Sequence, residues 1–222
     1  MNYIHKINSF FKAIFVKYKI KRSKEIRIIV GASNTFFKDW ISTEKSFFDI
    51  PDKDSWENFF KPESIDNILA EHVLEHLYED DIKKTLKYAY NYLKTGGIFR
   101  IAVPDALHPS IYLEKLTEPG GPAPGADDHK VFLSVYKLEE LAFKAGFKVK
   151  RLEYFDKGGV FHNEDFNYEA GYISRCAKNY KGRFTEDKKE FDKMINSVPT
   201  HLRNQFYDKN ISYVSLLVDL IK

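Results

Sequence analysis

One cysteine, Cys176, is all that 222 residues contain. That scarcity excludes an internal disulfide and any zinc site built from several cysteines, and it fits a reducing compartment. The chain has no apolar run near the roughly 20 residues that a membrane-spanning helix needs. An excess of one charge is missing too: 35 Lys and Arg stand against 32 Asp and Glu, a formal net charge of +3. Such a balance carries no electrostatic footprint of a nucleic-acid binder. Internal repeats and interdomain linkers are absent. What is present, 43% hydrophobic and 16% aromatic residues, excludes a disordered or fibrous chain. The length suits one compact α/β domain, expected in the cytoplasm.

The first residues form a separate unit. Ile4, Ile7, Phe10, Phe11, Ile14, Phe15 and Tyr18 recur at helical spacing among Lys6, Lys12, Lys17, Lys19, Lys21 and Arg22. An uninterrupted apolar core and a small-residue cleavage site are lacking, so this segment does not read as a signal peptide. It reads as an amphipathic basic helix over 1–24. Its apolar stripe either caps the domain that follows at 25–222 or lies on an anionic membrane surface or a partner.

Periodicity then switches. Glu25 to Gly31 and Ile65 to Ala70 are short apolar runs of the kind buried in parallel sheets. Trp40 to Thr43 and Ser46 to Ile50 are further short strands by the same pattern. Ser55 to Phe60 has helical spacing, as does Asp80 to Lys94, with Gly96-Gly97 as its stop. Ile98 to Val103 is the next strand, broken by Pro104. Strands alternating with helices mean crossover connections and a mostly parallel sheet. Beyond Pro104, Glu118 to Asp128 is a loop rich in Pro and Gly. Lys137 to Ala145 is helical, Phe147 to Phe155 and Ser212 to Ile221 suit a closing antiparallel pair, and Thr185 to Ser197 is a charged peripheral helix.

A doubly wound sheet binds its ligand beyond the carboxyl ends of the strands. Gly31 ends the first strand, where a missing side chain lets the backbone turn beside a cofactor. Glu44 follows the second, where a carboxylate can accept from ribose hydroxyls, and Asp49 ends the third, able to accept from an amino group. Each has a plain alternative as a turn glycine or a solvated carboxylate.

The stretches I-D-N-I-L-A-E-H-V-L-E-H-L and L-K-T-G-G-I-F-R-I-A-V-P-D carry more information. With G-A-S, D-W-I-S-T-E, P-G-A-D-D-H-K, L-E-Y-F-D, G-Y-I-S-R and S-L-L-V-D-L-I-K, they resemble class I S-adenosylmethionine-dependent methyltransferases, within a bacterial group described only as predicted methyltransferases. The resemblance implies a Rossmann-like α/β fold with a mostly parallel seven-stranded sheet and an antiparallel closing strand. It implies S-adenosyl-L-methionine as cofactor. Gly31 and Ser33 fall at the cofactor turn, Glu44 at the ribose acid, Asp49 at the adenine side, and Glu71 and His72 beside the methionine part. G-A-S-N departs from the family's glycine-richer turn, leaving fewer left-handed options.

Two other readings stand beside it. His72-Val73-Leu74-Glu75-His76 matches the H-x-x-E-H pattern of zinc hydrolases, which on a helix would put both histidines on one face. It opens straight after a buried strand without a recognisable third ligand, so no metal is expected. A methyltransferase-like scaffold without chemistry is the third reading. Against a scaffold stands the polar cluster Asp105, His108, Asp127, Asp128 and His129. Asp127 and Asp128 have the alternative of a helix cap.

A hydroxyl acceptor needs a base, and a histidine beside a carboxylate suits that role. His129 is the candidate base, Asp128 its orienting partner, and Asp105 an acceptor-binding residue. Tyr112, Phe132, Tyr136, Tyr154, Phe155 and Phe161 form either a ring-stacking wall or core. The acceptor expected is a carbohydrate or small-molecule hydroxyl. No nucleic acid is expected as partner, and the 1–22 helix offers peripheral membrane contact.

Overall fold

The computed structural model describes residues 3–33, 35–180, 188–209 and 211–222. The elements run α1 (Tyr3–Arg22), β1 (Arg27–Ile29), β2 (Ile41–Ser42), α2 (Lys53–Phe59), β3 (Ile65–Glu71), α3 (Glu79–Tyr92), β4 (Leu93–Val103), α4 (Ile111–Thr117), α5 (Val135–Ala145), β5 (Lys148–Phe155), β6 (Phe161–Asn163), α6 (Ala177–Tyr180), α7 (Lys188–Ser197), α8 (Asn204–Asp208) and β7 (Leu216–Ile221). The first residues of the expected Thr185 to Ser197 helix lie outside the described residues.

Period-two burial assigns the two faces of the sheet. Ile28, Ile68, Ala70, Phe99, Ile101, Val218 and Leu220 point into one core with Leu86 of α3 and Leu138 of α5. Ile29, Leu69, Ala102 and Leu217 point the other way, against Ile173 and Cys176. The first face is thus covered by helices and the second largely by the irregular 164–176 segment.

Strand order is β2-β1-β3-β4-β7-β5-β6. β2, β1, β3 and β4 are parallel neighbours. β7 inserts antiparallel between β4 and β5, and β6 pairs antiparallel with β5. This is the Rossmann-like, seven-stranded, mostly parallel sheet with antiparallel closing strands that the sequence implied.

Its edges differ from expectation. Ser46 to Ile50 forms turns rather than a strand. Phe48 and Ile50 are buried, Phe48 packs edge-on against Trp56 with ring centroids 5.1 Å apart, and the Trp56 indole N–H donates to the Ile50 carbonyl at 2.8 Å. Those contacts draw the segment into the α2 cluster and away from the sheet. β2 is therefore the edge strand, and the seventh strand is β6 at the opposite side. Gly96-Gly97 does not stop α3 either. The helix ends where Leu93 turns extended, and the glycines fall where the β3–β4 register slips between Ile65 and Asn67.

α1 packs along β2 through a face other than the expected one. Val16 is buried and Ile20 packs against the core, whereas Phe10, Phe11, Ile14, Phe15 and Tyr18 are all more than 45% exposed. Ile4 and Ile7 lie outside the described side chains. No helix among the described residues is long and apolar enough to cross a membrane.

One buried ion pair crosses the sheet. Arg100 on β4 and Asp219 on β7 are register partners, 1% and 5% exposed. The guanidinium donates through Nε and Nη2 to the two carboxylate oxygens at 2.7 and 2.8 Å. Its Nη1 donates to the carbonyls of Asn167 and Gly171, both at 2.7 Å. Removing one member of such a pair costs about 3–5 kcal/mol, since it strands the other charge.

Candidate functional site

Cavities of 380 and 590 Å³ open at the amino ends of the strands, lined by residues such as Arg27, Asp66 and Lys94, or Arg22, Asp39 and Trp40. Ligands of open α/β sheets bind at the carboxyl ends, where two smaller cavities lie.

The first, 190 Å³, is lined by Ser33 and Glu44 together with Lys12, Phe15 and Val16 of α1. The chain reaches it through a tight turn. Gly31 has φ +58°, and a Cβ there would fall 2.9 Å from Val73 Cγ2. Left-handed geometry and lack of space both require glycine. Ser33 is left-handed as well, at φ +49°. The Thr43 backbone N–H and hydroxyl both donate to the Ile29 carbonyl, at 2.8 and 3.0 Å, which fixes the residue before Glu44. The Glu44 carboxylate is half-buried in the cavity wall. Asp49 lies before α2 rather than at a strand end, its backbone N–H donating to Ser55 Oγ at 3.1 Å. Burial raises its carboxyl above the ordinary value, with Lys45 opposing.

The second cavity, 330 Å³, is lined by His72, Glu75, His76, His129, Arg175 and Tyr213, among others. Glu71 and His72 are positioned by other bonds. Glu71 Oε1 accepts from Ser174 N, Ser174 Oγ and Arg175 N at 2.9, 2.6 and 3.0 Å. His72, at φ +57°, lies 2.9 Å through Nδ1 from Glu75 Oε1 and 3.0 Å through Nε2 from Ser215 Oγ. The segment 72–76 holds one 3-10 turn, Leu74–His76, so the helical face expected for H-x-x-E-H does not form.

His129 enters the same cavity. Its Nδ1 lies 2.7 Å from the Thr117 carbonyl. A carbonyl only accepts, so Nδ1 is the donor in this contact. Thr117 therefore orients this imidazole, in place of Asp128. The Asp128 carboxylate is two-thirds exposed and pairs with Lys130 Nζ at 2.7 Å, which holds its carboxyl below the usual range. Neither Asp127 nor Asp128 caps α5; Ser134 does, accepting from Lys137 N at 3.3 Å.

Asp105 is a brace. Its two oxygens accept from Leu107 N and Phe155 N at 2.9 and 2.8 Å, joining the end of β4 to β5. Burial pushes its carboxyl up to about 6, against the lowering by those two N–H groups. It does not line the cavity. His108 is a core histidine: Nδ1 accepts from Ser110 N at 3.1 Å, and the ring packs 4.5 Å from Phe155. Its Nε2 is buried without a hydrogen-bond partner among the described residues. The aromatic set builds no wall here. Phe155 and Phe161 belong to the core beneath α7 and α8.

Sequence reasoning missed Thr117, Arg175, Tyr213 and Ser215. Arg175 and Ser215 did leave a signal, as polar residues inside the G-Y-I-S-R and S-L-L-V-D-L-I-K blocks.

Comparison with known proteins follows the topology. Residues 45–101 match a family model described as a methyltransferase domain. No curated protein sequence matches the chain. Among solved structures, the chain is similar to a SAM-dependent methyltransferase from Archaeoglobus fulgidus, at 13% identity over 99% of each chain with a TM-score of 0.45. A putative methyltransferase of Haloferax volcanii, solved with the Trm112 activator, is 12% identical over 92% of this chain and 87% of its own, TM-score 0.48. Phosphoethanolamine N-methyltransferase 2 of Haemonchus contortus, in complex with S-adenosyl-L-methionine, is 12% identical over 95% and 52%, TM-score 0.42.

The core histidine sets an acid sensitivity. Burial drives His108 down to about 3 from an ordinary 6.5, so between those values the unfolded chain binds the extra proton. The stability His108 contributes is full above about 6.5 and is lost as pH falls toward 3. Asp105, raised to about 6, works oppositely and weakens the slope between its ordinary value and 6. Urea unfolding at pH 7 and pH 4.5 should therefore show a smaller acid loss in His108→Gln than in wild type. An equal or larger loss in the variant would remove His108 as its source.

Proposed function

We propose that the chain is a class I S-adenosylmethionine-dependent methyltransferase, a reading supported by the family-model match over residues 45–101 and by the strand order, and that it methylates a hydroxyl of a carbohydrate precursor or small metabolite. When bound, the cofactor supplies an electrophilic methyl group on a sulfonium. The residues present suit its ribose end: a turn that admits only glycine at Gly31, followed by the Glu44 carboxylate facing a cavity. A carboxylate there accepts from two ribose hydroxyls. Gly31 and Ser33 let the backbone approach the cofactor, Asp49 lies toward the adenine side, and Glu71 and His72 hold the wall beside the methionine part.

One observation carries the choice of a hydroxyl acceptor. His129 lines the cavity while the fixed Thr117 carbonyl accepts from its Nδ1–H, which leaves Nε2 as the nitrogen that can take a proton. In methyl transfer the acceptor oxygen forms the new bond to carbon as the carbon–sulfur bond breaks, and His129 Nε2 takes the hydroxyl proton. Leu113 and Leu116, on the cavity's apolar side, exclude water from the acceptor.

α1 supports a further contact, with an anionic membrane surface in the cytoplasm. Its outward face presents Phe10, Phe11 and Phe15, and Lys12, Lys17, Lys19, Lys21, Arg22 and Lys24 precede the chain's first acid, Glu25. Aromatic insertion plus cationic attraction is how interfacial helices bind. The protein should sediment with vesicles containing phosphatidylserine, and the double variant Phe10→Ser, Phe11→Ser, at two exposed positions outside the Glu44 cavity, should lose most of that binding. Equal sedimentation of the variant, or none of wild type, contradicts the contact.

His129→Asn tests the reaction. With sugars and small hydroxylated compounds as acceptors, release of S-adenosylhomocysteine should fall by about 10²–10⁴, the usual worth of a general base, while cofactor affinity holds. Unchanged turnover per folded molecule would remove the base and leave His129 a packing residue.

A further inference from the structure

Three groups converge in the 330 Å³ cavity more closely than its walls require. Glu75, His76 and His129 each offer a ligand atom, and these atoms all lie within 4.8 Å of one another. We propose that they form a binding site for one divalent transition-metal ion, zinc by preference. His₂Glu sets are suited to zinc, and three protein ligands leave a coordination position open.

The first support is an orphaned oxygen. Glu75 is 1% exposed, and among the described residues its Oε2 is buried with no hydrogen-bond partner. A buried carboxylate with an idle oxygen is costly unless a cation answers it. His76 and His129 each bring a ring nitrogen within 4.8 Å of a Glu75 carboxylate oxygen, while the His72 nitrogens face Glu75 Oε1 and Ser215.

The second support is the outer ring of bonds. Metal-bound histidines hand their other nitrogen to a carbonyl or carboxylate, and metal-bound carboxylates are themselves hydrogen-bonded. Here His129 Nδ1 donates to the Thr117 carbonyl at 2.7 Å, His76 Nδ1 lies 3.6 Å from Asp128 Oδ2, and Glu75 Oε1 lies 2.9 Å from His72 Nδ1. Glu75 and His129 thus each have one atom hydrogen-bonded outside the trio, and His76 stands only within ion-pair range of Asp128. The main chain also ties the parts together: Lys130 N donates to the Glu75 carbonyl at 2.7 Å, setting the residue after His129 on the Glu75 backbone.

The spacing needs one adjustment. Ligand atoms about 2.0–2.2 Å from a shared tetrahedral ion sit roughly 3.4 Å apart, so separations of up to 4.8 Å must contract by up to about 1.4 Å. The His76 side chain, 31% exposed, is free to turn by that much. This trio differs from the His72/His76 pair suggested by the H-x-x-E-H spacing. The third ligand comes from beyond the Pro/Gly loop, 53 positions after His76, and no local pattern in the sequence announces it.

The chemical consequence, though not the binding, rests on the methyl-transfer reading. An ion here would turn its open position into the acceptor cavity, and a coordinated hydroxyl loses its proton more readily. With the ion bound, His129 Nε2 would be a ligand and could not take the acceptor proton, so the metal-loaded cavity and the His129-as-base cavity are alternative states of the same site.

The test is binding itself. Full-length protein, freed of metal with a chelator, is titrated with Zn²⁺ by calorimetry, and separately with Co²⁺ while visible absorption is followed. One ion per chain should bind, and the Co²⁺ form should show the intense bands of tetrahedral coordination. His129→Ala and His76→Ala should each weaken binding by at least about 10–100-fold, whereas His162→Ala, outside the cavity, should not. Because Glu75→Gln removes a buried charge and can cost folding, the partly exposed His76 keeps the test sound. Absence of stoichiometric binding, or binding that survives both histidine variants, overturns the site. Titration with S-adenosylhomocysteine separates the two proposals: zinc binding without it leaves the metal site standing and removes the transferase reading. Cofactor binding without zinc does the reverse.

Discussion

The Arg100–Asp219 pair anchors everything that surrounds the site. An arginine in the middle of a buried strand is tolerable only if every donor is used. Asp219 takes two donors and thereby fixes the β4–β7 register. The Asn167 and Gly171 carbonyls accept from Nη1, so the irregular 164–176 segment is held on the sheet face opposite α3 and α5. Phe166 closes over the guanidinium, 4.8 Å from its ring centroid.

From that anchor the order passes outward. Pinned at Gly171, the segment delivers Ser174 and Arg175 to Glu71, whose carboxylate takes both backbone N–H groups. The Arg175 carbonyl in turn accepts from Ser215 N at 3.0 Å, and Ser215 Oγ meets His72. His72 holds Glu75. A continuous chain of hydrogen bonds therefore runs from the sheet's centre to the cavity corner. Asp105, expected to bind the acceptor, spends both oxygens on backbone N–H groups, and Glu71 spends Oε1 on Ser174 and Arg175. Both brace backbone around the 330 Å³ cavity, whose lining includes Glu75, His76 and His129.

The sequence made the fold legible because parallel strands buried on both faces appear as short apolar runs, and β1, β3 and β4 did so. It misled where tertiary contacts outweigh pattern. Phe48 and Ile50 look like an edge strand, yet the Trp56 cluster captures them. The α1 stripe looked like a domain cap, yet Val16 on another face makes the buried contact. At the site, His129 was readable as a histidine after a Pro/Gly loop, but its partner was not. A backbone carbonyl twelve residues earlier leaves no mark on side-chain spacing, whereas Asp128 beside it attracts attention by adjacency alone. Arg100 and Asp219 were visible as single charges in two apolar runs, I-F-R-I-A-V and L-L-V-D-L-I. Pairing those runs antiparallel would have matched the charges.

On the proposed reading, the two carboxyl-end cavities are halves of one methyl-transfer site, the Glu44 side for cofactor and the His129 side for acceptor. A crystal structure of the protein with S-adenosylhomocysteine tests it most directly. The account predicts ribose hydroxyls on the Glu44 carboxylate, backbone of the Gly31–Ser33 turn against the ligand, and the thioether sulfur facing the cavity of His72 and His129. A ligand seated at the amino-end cavities, or one at Glu44 whose sulfur turns away from His129, would contradict it.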